Sequence, residues 1–285
     1  MTGLFLLWLL FLKRKVKNRK IKIASWSAFA LLVIVLLFVA RKQQEEMVAA
    51  TPSIAISVVD ENAFLTEQEL VVRLKRNNLI YSGQQMKDLN TTAIEAFIRK
   101  MHEVELVDVY KRLGGNWNIR VKVRQPYARI FNRDGQSFYV DSKGAMMDPS
   151  PNFTARVLVF SGNIADKSDS LTVAEIENDP ELAKKRSLDE IYRIAKYING
   201  DDFLRAQIVQ VHRDRWGDYL LIPQVGDHEI VFGTANNDQE VREKFEKLKI
   251  FYQEGLPYEG WNVYEQINLK YRNQIVCRKR EIDTE

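Results

Sequence analysis

The 285-residue sequence contains one cysteine, Cys277, and three histidines, His102, His212 and His228. A single thiol excludes an internal disulfide framework and any cysteine-built zinc cluster. Three scattered imidazoles leave little to hold a metal. Seven prolines and 13 glycines are too few for a collagen-like or linker-dominated chain. No G-x-S-x-G, S-x-x-K or H-E-x-x-H occurs, so the familiar hydrolase signatures are missing. No internal repeat or low-complexity tract is visible. Acidic residues are absent before residue 41. With 46% apolar and 28% charged residues, the composition is globular, with room for one large domain or two ordinary ones.

The acid-free start changes the meaning of the net charge. The chain carries 42 bases and 38 acids, formally +4. Lys13, Arg14, Lys15, Lys17, Arg19, Lys20 and Lys22 all precede the first acid, so the remainder is mildly acidic. A nucleic-acid-binding body would carry its basic stripe on the folded domain, and this one does not.

Residues 23–40 (IASWSAFALLVIVLLFVA) contain no charge. As a helix they measure about 27 Å, close to the roughly 30 Å hydrocarbon core of a bilayer. Only a helix satisfies its own backbone in lipid. Trp26 suits the near interface. The bases precede the span, whereas Arg41 and Lys42 after it are offset by Glu45 and Glu46. The positive-inside rule therefore puts residues 1–22 in the cytoplasm and 41–285 outside. A cleaved signal peptide is the alternative, but no small-x-small site lies near Arg41. Residues 3–12 (GLFLLWLLFL) are too short to cross as a helix.

Residues 41–53 read as a polar juxtamembrane linker. From 54 to 125 the pattern is β-α-α-β-β. IAISVV (54–59) is β-prone. Thr66 with Glu69, and Thr92 with Glu95, have capping-box spacing, and each precedes a helical apolar stripe. VELVDVYKR (104–112) and the strictly alternating Trp117–Val123 flank Leu113-Gly114-Gly115-Asn116, a hairpin turn.

Residues 126–285 read as a mixed β-sheet domain with flanking helices, an α+β fold overall. Strands are expected at 127–132, 137–141, 156–160, 206–213, 218–225, 228–233, 261–271 and 274–279. Residues 163–180 look like a loop. One helix starts at a Ser187/Glu190 capping box and stops at Asn199-Gly200. A second starts at Asn237 and carries Val241, Phe245, Leu248 and Tyr252 on one stripe. Val263, Ile267, Leu269 and Tyr271 share a parity within their strand.

A basic tail with one span, a β-α-α-β-β unit of POTRA type, an early Val140-Asp141-Ser142-Lys143-Gly144 and a late Asn268-Leu269-Lys270-Tyr271 occur in that order. The chain in this respect resembles the FtsQ/DivIB family of bacterial cell-division proteins. The late motif departs from the family's usual Asp-Leu-Arg-Tyr at its first and third places. The resemblance implies a single-pass inner-membrane component of the division machinery at the septum. Its body would lie in the periplasm, and it would have neither enzymatic activity nor a cofactor. It implies binding of the FtsB–FtsL pair by the β domain. The POTRA domain would recruit the protein through FtsK or other early components, with the septal synthase pair FtsW/FtsI as further partners.

The final strand, 274–279, has no sequence-adjacent segment to cover its outer side, and an edge strand displays backbone donors and acceptors that a partner strand can pair. Tyr271, Gln274, Val276 and Arg278 are the expected contacts, and Arg272, Arg278, Lys279 and Arg280 would meet an acidic partner segment. Bases on an edge strand also simply guard against aggregation, and parity with Leu269 makes Tyr271 a core residue instead. The competing class is a membrane-anchored enzyme or receptor acting on cell-wall material. Its candidate residues are His212, His228, Cys277, Asp60-Glu61 and Asp201-Asp202, each placed where a structural role is the simpler reading. An outer-membrane barrel transporter would need more and longer alternating strands than these residues supply.

Overall fold

The computed structural model describes residues 3–58, 64–151 and 153–280, with side chains from residue 24 onward. The carboxylate pair Asp60-Glu61 lies outside the described residues.

The first element, α1 (Gly3–Glu46), is one continuous helix. An 18-residue window within its stretch Ala24–Glu46 has a mean hydropathy of 2.1, and none of that window is buried in the protein. Such a surface is stable only against lipid or another apolar partner. Arg41–Glu46, expected as linker, are helical too.

Strand β1 (Ser53–Ser57) is followed by α2 (Glu67–Arg76), α3 (Thr91–Arg99), β2 (Val104–Lys111) and β3 (Trp117–Val123). The three strands form a sheet in the order β1-β3-β2. The β-α-α-β-β order expected from the sequence is therefore present. Thr66 Oγ1 accepts the Glu69 amide at 3.2 Å, as its spacing predicts. The second cap differs. Asn90 Oδ1 accepts the Ala93 amide at 3.0 Å, and Thr92 lies inside the first turn. An asparagine two residues upstream competes for the same amides and is the better N-cap. The β2–β3 turn places Gly114 and Gly115 at φ of 76° and 75°, a region that side chains avoid.

The chain divides into two compact units. The first comprises Met1–Ala55, Val71–Glu95 and Asp108–Ile119. Its buried side chains include Leu74, Met86, Leu89, Val109 and Trp117. Trp117 Nε1 donates to the Ala50 carbonyl at 2.8 Å, so the indole is both packed and satisfied.

The second unit comprises Ile56–Leu70, Ala96–Val107 and Arg120–Glu285. It holds β4 (Pro126–Phe131), β5 (Ser137–Asp141), β6 (Met146–Met147), β7 (Leu158–Gly162), β8 (Ile208–Arg213), β9 (Tyr219–Pro223), β10 (Glu229–Gly233), β11 (Tyr264–Asn268) and β12 (Val276–Lys279). These form one sheet in the order β12-β11-β10-β9-β8-β7-β4-β5-β6. The pairs β4/β7, β7/β8 and β10/β11 are parallel. The helices α4 (Val173–Glu177), α5 (Pro180–Lys185), α6 (Leu188–Asn199), α7 (Asp202–Gln207), α8 (Asp238–Ile250) and α9 (Leu256–Glu259) complete it, with a π-helical turn at Phe251–Gly255. Ile191, Ile194 and Ile198 of α6 and Val241, Phe245 and Leu248 of α8 share one core with Ile130, Phe160, Val211, Leu221, Ile230 and Ile267 of the sheet. Each helix buries one apolar stripe, the arrangement its period predicts, and the two charges buried with it are paired, Asp189 with Arg193 at 2.7 Å and Lys244 with Glu240 at 2.5 Å.

Three expectations change here. The stretch 163–180 holds α4, whose N-cap Thr172 makes a full capping box with Glu175, and the start of α5. Ser187 precedes α6 but makes no side-chain cap. Its hydroxyl donates to Asp166 Oδ2 at 2.7 Å, because a buried carboxylate takes that proton first. The strand expected at 261–271 is shorter and ends at Asn268, so parity no longer applies to Tyr271, which is 49% exposed and not core.

Candidate partner interface

The two margins of the large sheet are unlike. The β6 margin is two buried residues, and Thr172 bridges the adjacent Ala145. The β12 margin pairs only with β11, and among the described residues no strand lies on its outer side. Antiparallel register sets Asn268 opposite Val276, Ile267 opposite Cys277 and Gln266 opposite Arg278, with a bulge between Tyr264 and Gln266. Alternation then sorts the strand. Ile275 and Cys277 pack against the core. Val276 and Arg278 are exposed on the other side, with Val276 at 43%, and Gln274, expected within a strand starting at 274, is exposed ahead of β12, which starts only at Val276. Tyr271 and Arg272 stand exposed in the connecting turn, and Lys279 is exposed at the strand's end.

Three basic residues of this margin already have partners. Arg278 meets Glu265 at 3.0 Å, Lys279 lies 3.8 Å from Glu259, and Arg280 Nη2 donates to the Asp227 carbonyl at 3.0 Å. The turn is held from beneath. Lys247 Nζ of α8 donates to the carbonyls of Leu269 (3.1 Å) and Tyr271 (2.6 Å). Burial, with Lys244 nearby, pulls the Lys247 pKa down. Asn268 Oδ1 accepts the Lys270 amide at 3.0 Å, and Lys270 Nζ reaches Asp218 at 2.5 Å. The Asn268–Tyr271 motif is thus an anchor that fixes where β12 begins. Glu265 and Lys247 are the parts of this margin that sequence reasoning missed. Acid-base complementarity is legible only once the register is known, and the bulge hides it.

The other candidate chemistry is dispersed. His212 Nδ1, in β8, lies 3.3 Å from Ser161 Oγ of the neighbouring β7. His228, 2% exposed, meets the Tyr252 hydroxyl at 2.7 Å, and burial lowers its pKa. Asp201 caps α7 and pairs with Lys249 at 3.1 Å, and Asp202 pairs with Arg205 at 2.7 Å. Burial pushes the Cys277 thiol up, away from thiolate reactivity. Among the described residues no His, Cys, Asp and Glu cluster has metal-holding geometry.

A family model described as FtsQ/DivIB, C-terminal related matches residues 125–278, more than half of the chain. A model for a POTRA-like domain matches residues 49–122. No curated protein gives a match.

Proposed function

Since the chain belongs to the FtsQ/DivIB family, a non-enzymatic scaffold family of the cell-division machinery, we propose that it works by offering the outer side of β12 to a strand of a division partner. One observation carries this reading: among the described residues β12 has no strand on its outer side and exposes Val276, whereas the β6 margin is two buried residues beside the Ala145–Thr172 bridge. Backbone pairing supplies affinity, and alternate side chains supply specificity. Gln274, Val276 and Arg278 form the readable face, and Lys279 and Arg272 mark its two ends. The Tyr271 ring beside them offers large area at small entropic cost.

The occupant we infer is the FtsB–FtsL pair. The β domain, residues 126–285, is the binding module, and the POTRA-type unit, residues 54–125, is the recruiting module that acts through FtsK or related early components. FtsW and FtsI would then join the same assembly. Residues 41–285 face the periplasm, because the bases of the acid-free segment hold residues 1–22 in the cytoplasm. The span 23–40 confines these contacts to the plane of the septal membrane, where weak interactions add through raised effective concentration.

The deciding experiment is co-purification of the full-length protein with tagged FtsB–FtsL from membranes. Capture is expected, with β12 amides gaining hydrogen-exchange protection in the complex. A complex that leaves the β12 amides unprotected refutes strand addition. Hydrolysis of cell-wall fragments by the purified protein would favour the enzyme class instead.

A further inference from the structure

We propose that the tip of the β2–β3 hairpin sits in the headgroup layer of the membrane that α1 crosses, with Leu113 as its apolar contact and the neighbouring bases on anionic lipid headgroups. This rests on the single-span anchoring of the chain and not on the strand-addition reading.

The helix does not stop at the end of its apolar stretch. It runs unbroken through Arg41 and Lys42 to Glu46. From Ala40 to Gln44 the rise is about 6 Å, and the headgroup layer on each side of the hydrocarbon is about 5–7 Å deep. Gln44 therefore falls at headgroup depth. Its amide grips the hairpin turn on both sides: Nε2 donates to the Arg112 carbonyl and Oε1 accepts the Gly114 amide, each at 2.8 Å. The chain beyond the helix is locked to the same body. Lys87 N donates to Glu45 O at 3.0 Å, Met86 N to Met47 O at 2.9 Å, and Ala50 N to Gly115 O at 2.9 Å. A Cβ on Gly115 would lie 2.7 Å from the Val48 carbonyl, so only glycine lets the turn approach this closely. Helix end and hairpin tip belong to one compact unit, which makes the tip's depth follow from the helix's.

Leu113, at this turn, is 85% exposed. Turn tips in water favour Gly, Asn, Asp and Ser, and here a leucine precedes Gly-Gly-Asn. The bases around it are Arg41, Lys42, Lys87, Lys111 and Arg112, all exposed. Of the nearby acids, Glu45 is held by Arg41 at 3.0 Å, which leaves Glu46 and Asp88. An open cleft of about 730 Å³ lies beside the tip, lined by Gln44, Glu45, Met86, Lys111, Arg112 and Leu113. A cationic rim around an exposed apolar residue, one turn of helix beyond the span, matches the cross-section of an anionic lipid surface.

The test uses the full-length chain in nanodiscs, with a nitroxide on Leu113→Cys in a Cys277→Ala background. One set of discs is zwitterionic, and the other contains about a third phosphatidylglycerol. A second label replaces Tyr258, which is 87% exposed. In anionic discs the label at 113 is expected to be more accessible to oxygen than to a water-soluble nickel chelate. Lys111→Glu with Arg112→Glu should reverse that preference, and the label at 258 should favour the chelate throughout. Two results overturn the proposal: a label at 113 that favours the chelate in anionic discs, or one shielded from both reagents, which marks contact with a second protein copy. Either leaves the β12 reading untouched, because FtsB–FtsL capture is measured separately.

Discussion

Arg278 and Glu265 face each other across the β11–β12 pair in a two-pronged contact, Nε to Oε2 at 3.1 Å and Nη2 to Oε1 at 3.0 Å. Both side chains are more than half exposed. The guanidinium fork is therefore pre-aimed but weakly held, since exposed pairs contribute about 0–1 kcal/mol. A partner strand with its own acid can displace Glu265 at small cost.

Arg278→Glu should abolish co-purification with the partner pair while lowering the melting temperature by less than about 4 °C. The double exchange Glu265→Arg with Arg278→Glu restores the intramolecular pair with its sense reversed. Stability should return to that of the parent and capture should not. If the double exchange regains capture, Arg278 only orders the strand and the partner does not read its charge.

Lys247 supplies the second prediction. Its ammonium is shared between the Leu269 and Tyr271 carbonyls. Hydrogen bonds to charged donors contribute about 1.5–3 kcal/mol each when isolated, and partial solvent access reduces that here. Lys247→Met keeps the packing stem and removes both bonds. We expect a loss of about 1–2 kcal/mol in chemical denaturation and faster amide exchange across 270–275, with partner capture weakened several-fold. Unchanged exchange in that segment would show that the turn is held by its own backbone.

Much of this architecture is legible in the sequence, for identifiable reasons. Trp117–Val123 alternates strictly because one face is buried, and Asn237 caps α8 through the Glu240 amide as its spacing predicts. Part of what failed was non-local. The hydroxyl of Ser187 goes to Asp166, 21 residues away, and no spacing rule sees that. The parallel pairing of β10 with β11 across an intervening helix is likewise invisible to local period. The capping box at Thr172 and Glu175 was readable, since the T-x-x-E spacing is there, but the polar run around it masks a short helix. Of the margin itself, the existence and exposure of β12 follow from the sequence. Its anchoring by Lys247 and the Arg278–Glu265 pairing require the register.

Asp141, in the Val140–Gly144 motif, is 1% exposed. One oxygen accepts the amides of Lys143 (2.9 Å) and Ala145 (2.7 Å), and the other meets Arg124 Nη1 at 2.7 Å. The motif is therefore a structural turn closed by a carboxylate. Asp141→Ala strands the Arg124 charge and two amides, which should cost about 3–5 kcal/mol. Denaturation of Asp141→Ala measures it. A loss below about 1 kcal/mol would mean that the turn persists without its carboxylate.

The last prediction concerns pH. His228 is buried between the Tyr252 hydroxyl on Nε2 and the Trp261 carbonyl, which its Nδ1 approaches without closing a hydrogen bond. Gln207 donates to the same Tyr252 oxygen at 3.3 Å. With its pKa pushed up to about 12, Tyr252 stays protonated across this range. Burial lowers the His228 pKa from its ordinary 6.5, and Arg280 lowers it further, while Trp261 and Asp227 oppose. The folded protein thus resists a proton that the unfolded chain accepts. Stability is fully present above about pH 6.5 and falls as the pH drops below it, until the folded pKa is passed. Protonation also sets a second cation beside Arg280, whose guanidinium holds the Asp227 carbonyl next to β12. Thermal melts from about pH 7 to about pH 5 should therefore decline more steeply in the parent than in His228→Phe, and partner capture should weaken over the same window. Parallel pH profiles for the two proteins would assign the acid sensitivity to carboxylates elsewhere and remove His228 from any control of the margin.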